Sequence, residues 1–329
     1  MWPVIGHPRI HDVLTRSVAA NRVPQTLLFA GAAGIGKFTT AVTLAQALNC
    51  PNTADGIPCG TCLTCGRIAD GRFSDVIVVN KGDYASISIK VVREKILALI
   101  GYRPFEGRKR VFIVDDADDL TWEAQDSLLK TLEEPPPAAV LILVATSPDA
   151  MKATVLSRCR RLRFGALSDE DVARVLTQKL GMDPASARSR AAIAGGSVGV
   201  ALAIDGGSLE ADRELAMALL EAAAGSSLGP RLKAAVALTQ HDKKRRAREA
   251  VSTRLAHLSS LLRDVAMAAA SDGQTAPANQ DLVEALAGLA RAYPPDRLIP
   301  AFALVARAQN ALDRNASAKI VADFVAVSI

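Results

Sequence analysis

Four short, near-continuous apolar runs, each handed on to a helix-like pattern, constrain this chain more than any other feature. TLLFA at 26–30 leads through a glycine-rich turn into KFTTAVTLAQALNC. DVIVV at 75–79 precedes SIKVVREKILALIG, RVFIVDD at 110–116 precedes TWEAQDSLLKTLEE, and AVLILVAT at 139–146 is followed by a short fifth run, RLRF at 161–164. Strands apolar on both faces have to be covered on both faces, which a parallel sheet flanked by helices achieves. A doubly wound α/β domain is therefore expected over roughly residues 1–165. Thr121 is placed to cap the helix that follows RVFIVDD, and Pro135 to Pro137 to stop it.

The texture then changes. Ser168 opens DEDVARVLTQKL, which ends at Gly181. Asp183-Pro184 opens a second helix ending at Gly195-Gly196, and SVGVALAI suggests a third. These predict a small helical domain over 166–207. The Ala- and Leu-rich remainder, 208–329, has turn signals at GSSLGP, SDGQTAP and AYPPD and reads as a helical bundle. No stretch of about 18 uncharged apolar residues is present, so no membrane span is expected. The opening MWPVIGHPRIHD lacks a basic segment followed by an apolar one, so no secretory signal is expected and a cytoplasmic setting follows.

The net charge of +5 permits a nucleic-acid partner without requiring one. The densest basic run, KKRRAR at 243–248, is flanked by Asp242 and Glu249 and reads as a solvated helix face. With eight Phe, three Tyr and two Trp and no aromatic interleaving, stacking of unpaired bases is not expected.

Residues 31–38, GAAGIGKF, fit seven of the eight positions of the phosphate-binding loop G-x-x-x-x-G-K-[ST]. The loop follows an apolar strand and opens a helix, which is the context the chemistry needs. Backbone N–H groups from Gly31 through Gly34 and Gly36 to Lys37 would cradle phosphates, and the Lys37 side chain would reach the outer ones. The eighth position is Phe38, where a hydroxyl normally reaches the magnesium ion. Thr39, rotated about 100° around the helix, is a poor substitute. In VFIVDDAD, Asp115 is the candidate magnesium ligand at a strand's carboxyl end, and Asp116 stands where a carboxylate would activate water. Many ATPases of this type carry Glu there. A displacement on the order of 1 Å can cost about a hundredfold in rate. Phosphate binding is compatible with these residues; competent hydrolysis is not expected.

Four of the five cysteines, Cys50, Cys59, Cys62 and Cys65, fall in CPNTADGIPCGTCLTC. The spacing C-x8-C-x2-C-x2-C supplies four thiolates, enough for a closed tetrahedral zinc site inserted before the second strand. Spacing alone leaves an iron–sulfur cluster open. The same segment has one Asp and no Lys or Arg, so it offers no charge for a nucleic-acid backbone. Cys159 reads as an ordinary small buried residue. Arg158, in LSRCRRLRF between the fourth and fifth strands, reads on its own as a helix cap or a surface ion pair, although Arg is also the residue a neighbouring subunit lends to a phosphoryl group.

Together, IGHPRIHDVL, LLFAGAAGIGK, the four-cysteine insertion, VFIVDDAD, DSLLKTLEEPPP, LSRC and the late NASAKIVADFVAVSI resemble the delta-prime subunits of the bacterial DNA polymerase III clamp loader. The resemblance covers nearly the whole chain. It implies an AAA+ fold in three parts: a P-loop α/β domain, a helical lid and an all-α collar for oligomerisation. It also implies membership of a five-membered ring with gamma/tau and delta subunits, which opens the sliding clamp and closes it on primed DNA. In that setting Arg158 would act in trans on the nucleotide of an adjacent gamma/tau subunit, and Thr146 would fall near the family's sensor-1 position. Active ATPases of the family carry a sensor-2 arginine where this chain has Gly199. Phe38, Asp116 and Gly199 thus depart together from the hydrolytic pattern, and ATP binding is expected to be weak or absent. The main rival is an active gamma/tau-type ATPase. Polymerase activity, a nucleotidyl transfer, would belong to the holoenzyme as a whole.

Overall fold

The computed structural model describes residues 2, 4–82, 84, 86–203, 209–225, 227–240, 247–270, 279, 282–313 and 316–329. The chain divides into two compact units, Met1–Asp171 and Val172–Ile329.

In the first unit five strands form one sheet: β1 (Thr26–Ala30), β2 (Val76–Val79), β3 (Arg110–Val114), β4 (Ala139–Ala145) and β5 (Arg160–Arg163), in the order β2-β3-β4-β1-β5. All neighbours run parallel, with Leu28 beside Leu143 and Ile113 beside Ile142. Every residue of β1, β3 and β4 is buried, and the side chains alternate between two cores. Leu27, Phe29, Val111, Ile113 and Ile142 enter one core with Leu14 and Leu44. Leu28, Phe112, Val114 and Leu141 enter the other with Ile96, Leu128 and Val155. That two-sided burial, worth about 1.5–3 kcal/mol per large side chain, is the physical content of the unbroken apolar runs. β5 lies at the edge and exposes its terminal arginines. The glycine-rich loop follows β1 and Asp115 follows β3, so this is the doubly wound α/β arrangement with both at the carboxyl ends of the strands.

The helices of this unit are α1 (Pro8–Ala19), α2 (Lys37–Asn49), α3 (Leu63–Ala69), α4 (Ile89–Val92), α5 (Ala98–Ile100), α6 (Trp122–Glu133) and α7 (Ala153–Leu156). A π-helical segment, Arg93–Leu97, joins α4 to α5, so the helix expected from SIKVVREKILALIG has one irregular turn. Thr121 caps α6 through its hydroxyl, which accepts from the Ala124 N–H. Asp75, expected within β2, instead precedes it. Its buried carboxylate accepts from the N–H groups of Phe105, Glu106 and Gly107 and from the Arg110 guanidinium. Burial alone would push that carboxyl's pKa up, but these hydrogen bonds prevail and hold it below the usual range.

The boundary between the units falls within α8 (Asp169–Leu180), whose first turn is capped by Ser168. Then come α9 (Pro184–Ile193), capped by Asp183, α10 (Val198–Ala203), α11 (Leu209–Ala224), α12 (Leu228–Thr239), α13 (Ala247–Ala270), α14 (Val283–Ala292), α15 (Pro295–Asp313) and α16 (Ala318–Ser328). Leu219, Leu220, Leu255, Leu258, Leu262, Val305 and Val325 share one core. The buried pair Arg254–Asp212, at 2.7 Å, ties α13 to α11, and the same guanidinium donates to the Leu238 carbonyl near the end of α12. Gly229 and Pro230, read as a turn in the sequence, lie inside the first turn of α12, where proline's missing N–H has no intrahelical partner to lose. The SDGQTAP signal and Lys243 to Arg246 of the basic run lie outside the described residues.

Candidate nucleotide site, arginine turn and metal centre

The loop from Gly31 to Gly36 leaves the carboxyl end of β1 and delivers Lys37 as the first residue of α2. Gly36 caps the helix with φ 97°, in the left-handed region. At Gly31 a Cβ would lie 2.4 Å from the Phe164 carbonyl oxygen, so only glycine fits. Gly34 also sits at positive φ, 70°. Lys37 is 5% exposed. Its ammonium donates to the carbonyls of Gly31 at 2.6 Å and Ala32 at 2.5 Å, tying the loop to itself. Burial pulls its pKa down, opposed by the charges of Asp118, Asp115 and Asp116.

Phe38 and Thr39 are exposed, and Thr40, the first buried hydroxyl of α2, donates to the Gly36 carbonyl. Asp115 follows β3, and its N–H donates to the Val79 carbonyl. Burial, then the neighbouring Asp116 charge, push its carboxyl's pKa up. Asp116 adopts φ 55°, a left-handed backbone, and its carboxylate stands 3.8 Å from the Lys81 ammonium. Lys81 also pairs with Asp119 at 2.5 Å. Asp118 accepts from the N–H groups of Thr146 and Ser147, fixing the segment after β4 against the acidic turn. The structure therefore assembles Gly31, Gly34, Gly36, Lys37 and Asp115 at the carboxyl ends of β1 and β3, with Thr146 joined through Asp118. Lys81 and Asp118 escaped the sequence reading. VFIVDDADD does display a further acid, but nothing marks Lys81.

Arg158 lies apart from these residues in chain order, in the turn between α7 and β5. Its Nε donates to Glu133 Oε1 at 2.8 Å, and Nη2 lies 2.6 Å from the same oxygen. Nη1 donates to the Thr154 carbonyl at 2.9 Å. Cys159, next to it, is buried, and burial pushes its thiol up to about 12. The ion-pair reading of Arg158 is therefore correct as far as it goes, and its partner Glu133 is the first Glu of LEEPPP.

The four cysteines converge. Cys50 caps α2, Cys62 and Cys65 open α3, and the ligand atoms of Cys50, Cys59, Cys62 and Cys65 all lie within 4.8 Å of one another. The Cys50 sulfur is 3.5 Å from that of Cys59 and 3.8 Å from that of Cys62. Tetrahedral zinc with bonds of about 2.3 Å requires sulfur separations of about 3.8 Å. The backbone N–H of Cys62 points at the Cys59 sulfur and that of Cys65 at the Cys62 sulfur, which stabilises thiolate character. The backbone N–H groups of Thr61 and then Cys62 lower the Cys59 pKa to about 6, whereas burial pushes Cys65 up. All four are free thiols, so the set fits a structural zinc ion.

A five-stranded parallel sheet with a glycine-rich loop after the first strand and paired acids after the third defines a doubly wound α/β protein with its candidate site at the strands' carboxyl ends. Residues 6–168 match the family model described as DNA polymerase III, delta subunit. The tau/gamma subunit of DNA polymerase III from Haemophilus influenzae is 34% identical over 180 residues, 54% of this chain and 26% of that protein. The tau subunit from Escherichia coli is 34% identical over 169 residues, 51% of this chain and 26% of that one. The chain thus spans about a quarter of the length of these relatives. A solved Thermotoga maritima protein related to the DNA polymerase III gamma subunit aligns over 96% of this chain and 97% of its own, with 15% identity and a TM-score of 0.41.

Proposed function

We propose that the chain is a subunit of a bacterial DNA polymerase III clamp loader that hydrolyses ATP weakly or not at all. In this reading it lends Arg158 to the nucleotide of an adjacent gamma/tau-type ATPase and provides a rigid scaffold for placing the sliding clamp on primed DNA. Residues 166–207 would serve as the lid and 208–329 as the collar that joins it to gamma/tau and delta partners. The polymerase chemistry belongs to the assembled holoenzyme, and the work is cytoplasmic. The four-cysteine module would hold one structural zinc.

Phe38 carries the non-hydrolytic part of this reading. Its ring occupies the sequence position of the magnesium-binding hydroxyl and is exposed. Asp116 supports it, since its side chain is shorter than the Glu of many such ATPases and its carboxylate stands 3.8 Å from the Lys81 ammonium. Gly199, on α10, offers no guanidinium. The tau/gamma names of the relatives favour the second reading, an active gamma/tau-type ATPase. Steady-state ATP turnover by the isolated chain separates the two. The expected rate is indistinguishable from that of Lys37→Ala; robust turnover abolished by that substitution would establish the ATPase instead.

A further inference from the structure

The Arg158 guanidinium is held on three sides before any partner arrives. It has five N–H donors in a rigid plane. Nε and Nη2 both engage Glu133 Oε1, at 2.8 and 2.6 Å, and Nη1 engages the Thr154 carbonyl at 2.9 Å. Nη1 also reaches the Ser157 hydroxyl at 3.4 Å, so four donors are committed and one, on Nη2, is left over. The side chain remains about a third exposed, so this remainder is open to a ligand approaching from solvent. Glu133 is the last residue of α6, and Thr154 lies in α7. Both α6 and α7 pack their apolar faces, through Leu128 and Val155, into the core beneath the sheet. The acceptors therefore stand on rigid elements.

From this arrangement we propose that Glu133 is a positioning residue: it fixes the plane of the Arg158 guanidinium so that its uncommitted Nη2 donor is presented, already oriented, to the phosphate of a nucleotide held by a neighbouring subunit. The inference rests on the reading of Arg158 as an arginine supplied in trans. A half-exposed ion pair contributes little to folding, so stability is a poor account of so complete an engagement. Orientation is a better one. A free arginine side chain samples many rotamers, and a catalytic cation must lie within a fraction of an ångström of its place. The carboxylate also opposes a nearby phosphate, a cost that is offset only if orientation matters more than the local field.

The test uses a reconstituted ring of this full chain with its gamma/tau-type and delta partners, assayed for ATP turnover on primed DNA. Arg158→Ala is expected to lower kcat severalfold. Glu133→Ala is expected to lower kcat by about half as much on a logarithmic scale, with KM for ATP unchanged. Glu133→Gln, whose amide oxygen can still accept from Nε and Nη2, is expected to restore most of the loss. In the Arg158→Ala background Glu133→Ala should add nothing. Melting curves and gel filtration of each variant report folding and assembly separately. If Arg158→Ala lowers turnover while Glu133→Ala leaves it unchanged or raises it, the positioning role is wrong and the donated arginine stands. If Arg158→Ala has no effect, both fall together.

Discussion

His11 sits under Trp2, the two rings 5.4 Å apart and 18° from parallel, and its Nε2 has no hydrogen-bond partner among the described residues. Burial, and then the nearby His7, lower its pKa from 6.5 to about 4. The folded protein therefore binds fewer protons than the unfolded chain between those values, and stability is lost as pH falls through that window. With one pKa unit equivalent to about 1.4 kcal/mol, the loss at pH 5 is on the order of 2 kcal/mol. Melting temperature measured from pH 7 to 4.5 should show this limb, and His11→Phe, which keeps a stacked ring, should flatten it. An unchanged acid limb in the variant would assign the loss to other groups. No feature of IGHPRIHDVL announces this behaviour. The chemistry-bearing residues that the sequence does display, Lys37, Asp115 and the cysteines, are visible because their roles are local. Lys81 and Glu133 act only through partners 35 and 25 residues away along the chain, which no motif records.

The elements were legible where one face or both had to be buried. All five strands fall within a residue or so of their apolar runs, and the caps at Thr121, Ser168 and Asp183 are formed as their side chains dictate. The helix α3 was missed, because its seven residues are too few for periodicity and two of its neighbours in the pattern are cysteines. Two contacts tie that helix to its surroundings: Ile68 enters the core, and the Gln46 amide of α2 donates to the Cys65 carbonyl. The protein is expected to copurify with about one zinc ion per chain, by elemental analysis, and Cys62→Ser to reduce that content sharply. Removing the metal with a chelator under reducing conditions should lower stability by several kcal/mol, because four converging thiols have no apolar core of their own to keep them together. A module that retains its thermal transition without metal would refute this, and a visible-range absorption typical of iron–sulfur clusters would replace zinc with iron.

At the scale of the whole molecule, the proposed lack of hydrolysis would be a property of several elements, so that restoring one should not produce the activity. Phe38→Ser places a hydroxyl in the first turn of α2, next to Lys37, where it would supply the missing magnesium contact. It leaves Asp116 in its left-handed turn with Lys81 opposite, and leaves Gly199 without a side chain. The expected result is tighter, magnesium-dependent ATP binding, by about tenfold as for one recovered metal contact of about 1.4 kcal/mol, with turnover still at background. Calorimetric titration with and without magnesium measures the first, and a coupled turnover assay the second. Appreciable hydrolysis by this single variant would mean that Asp116 activates water adequately despite its shorter side chain and its lysine partner. The departure from the ATPase pattern would then reduce to one residue.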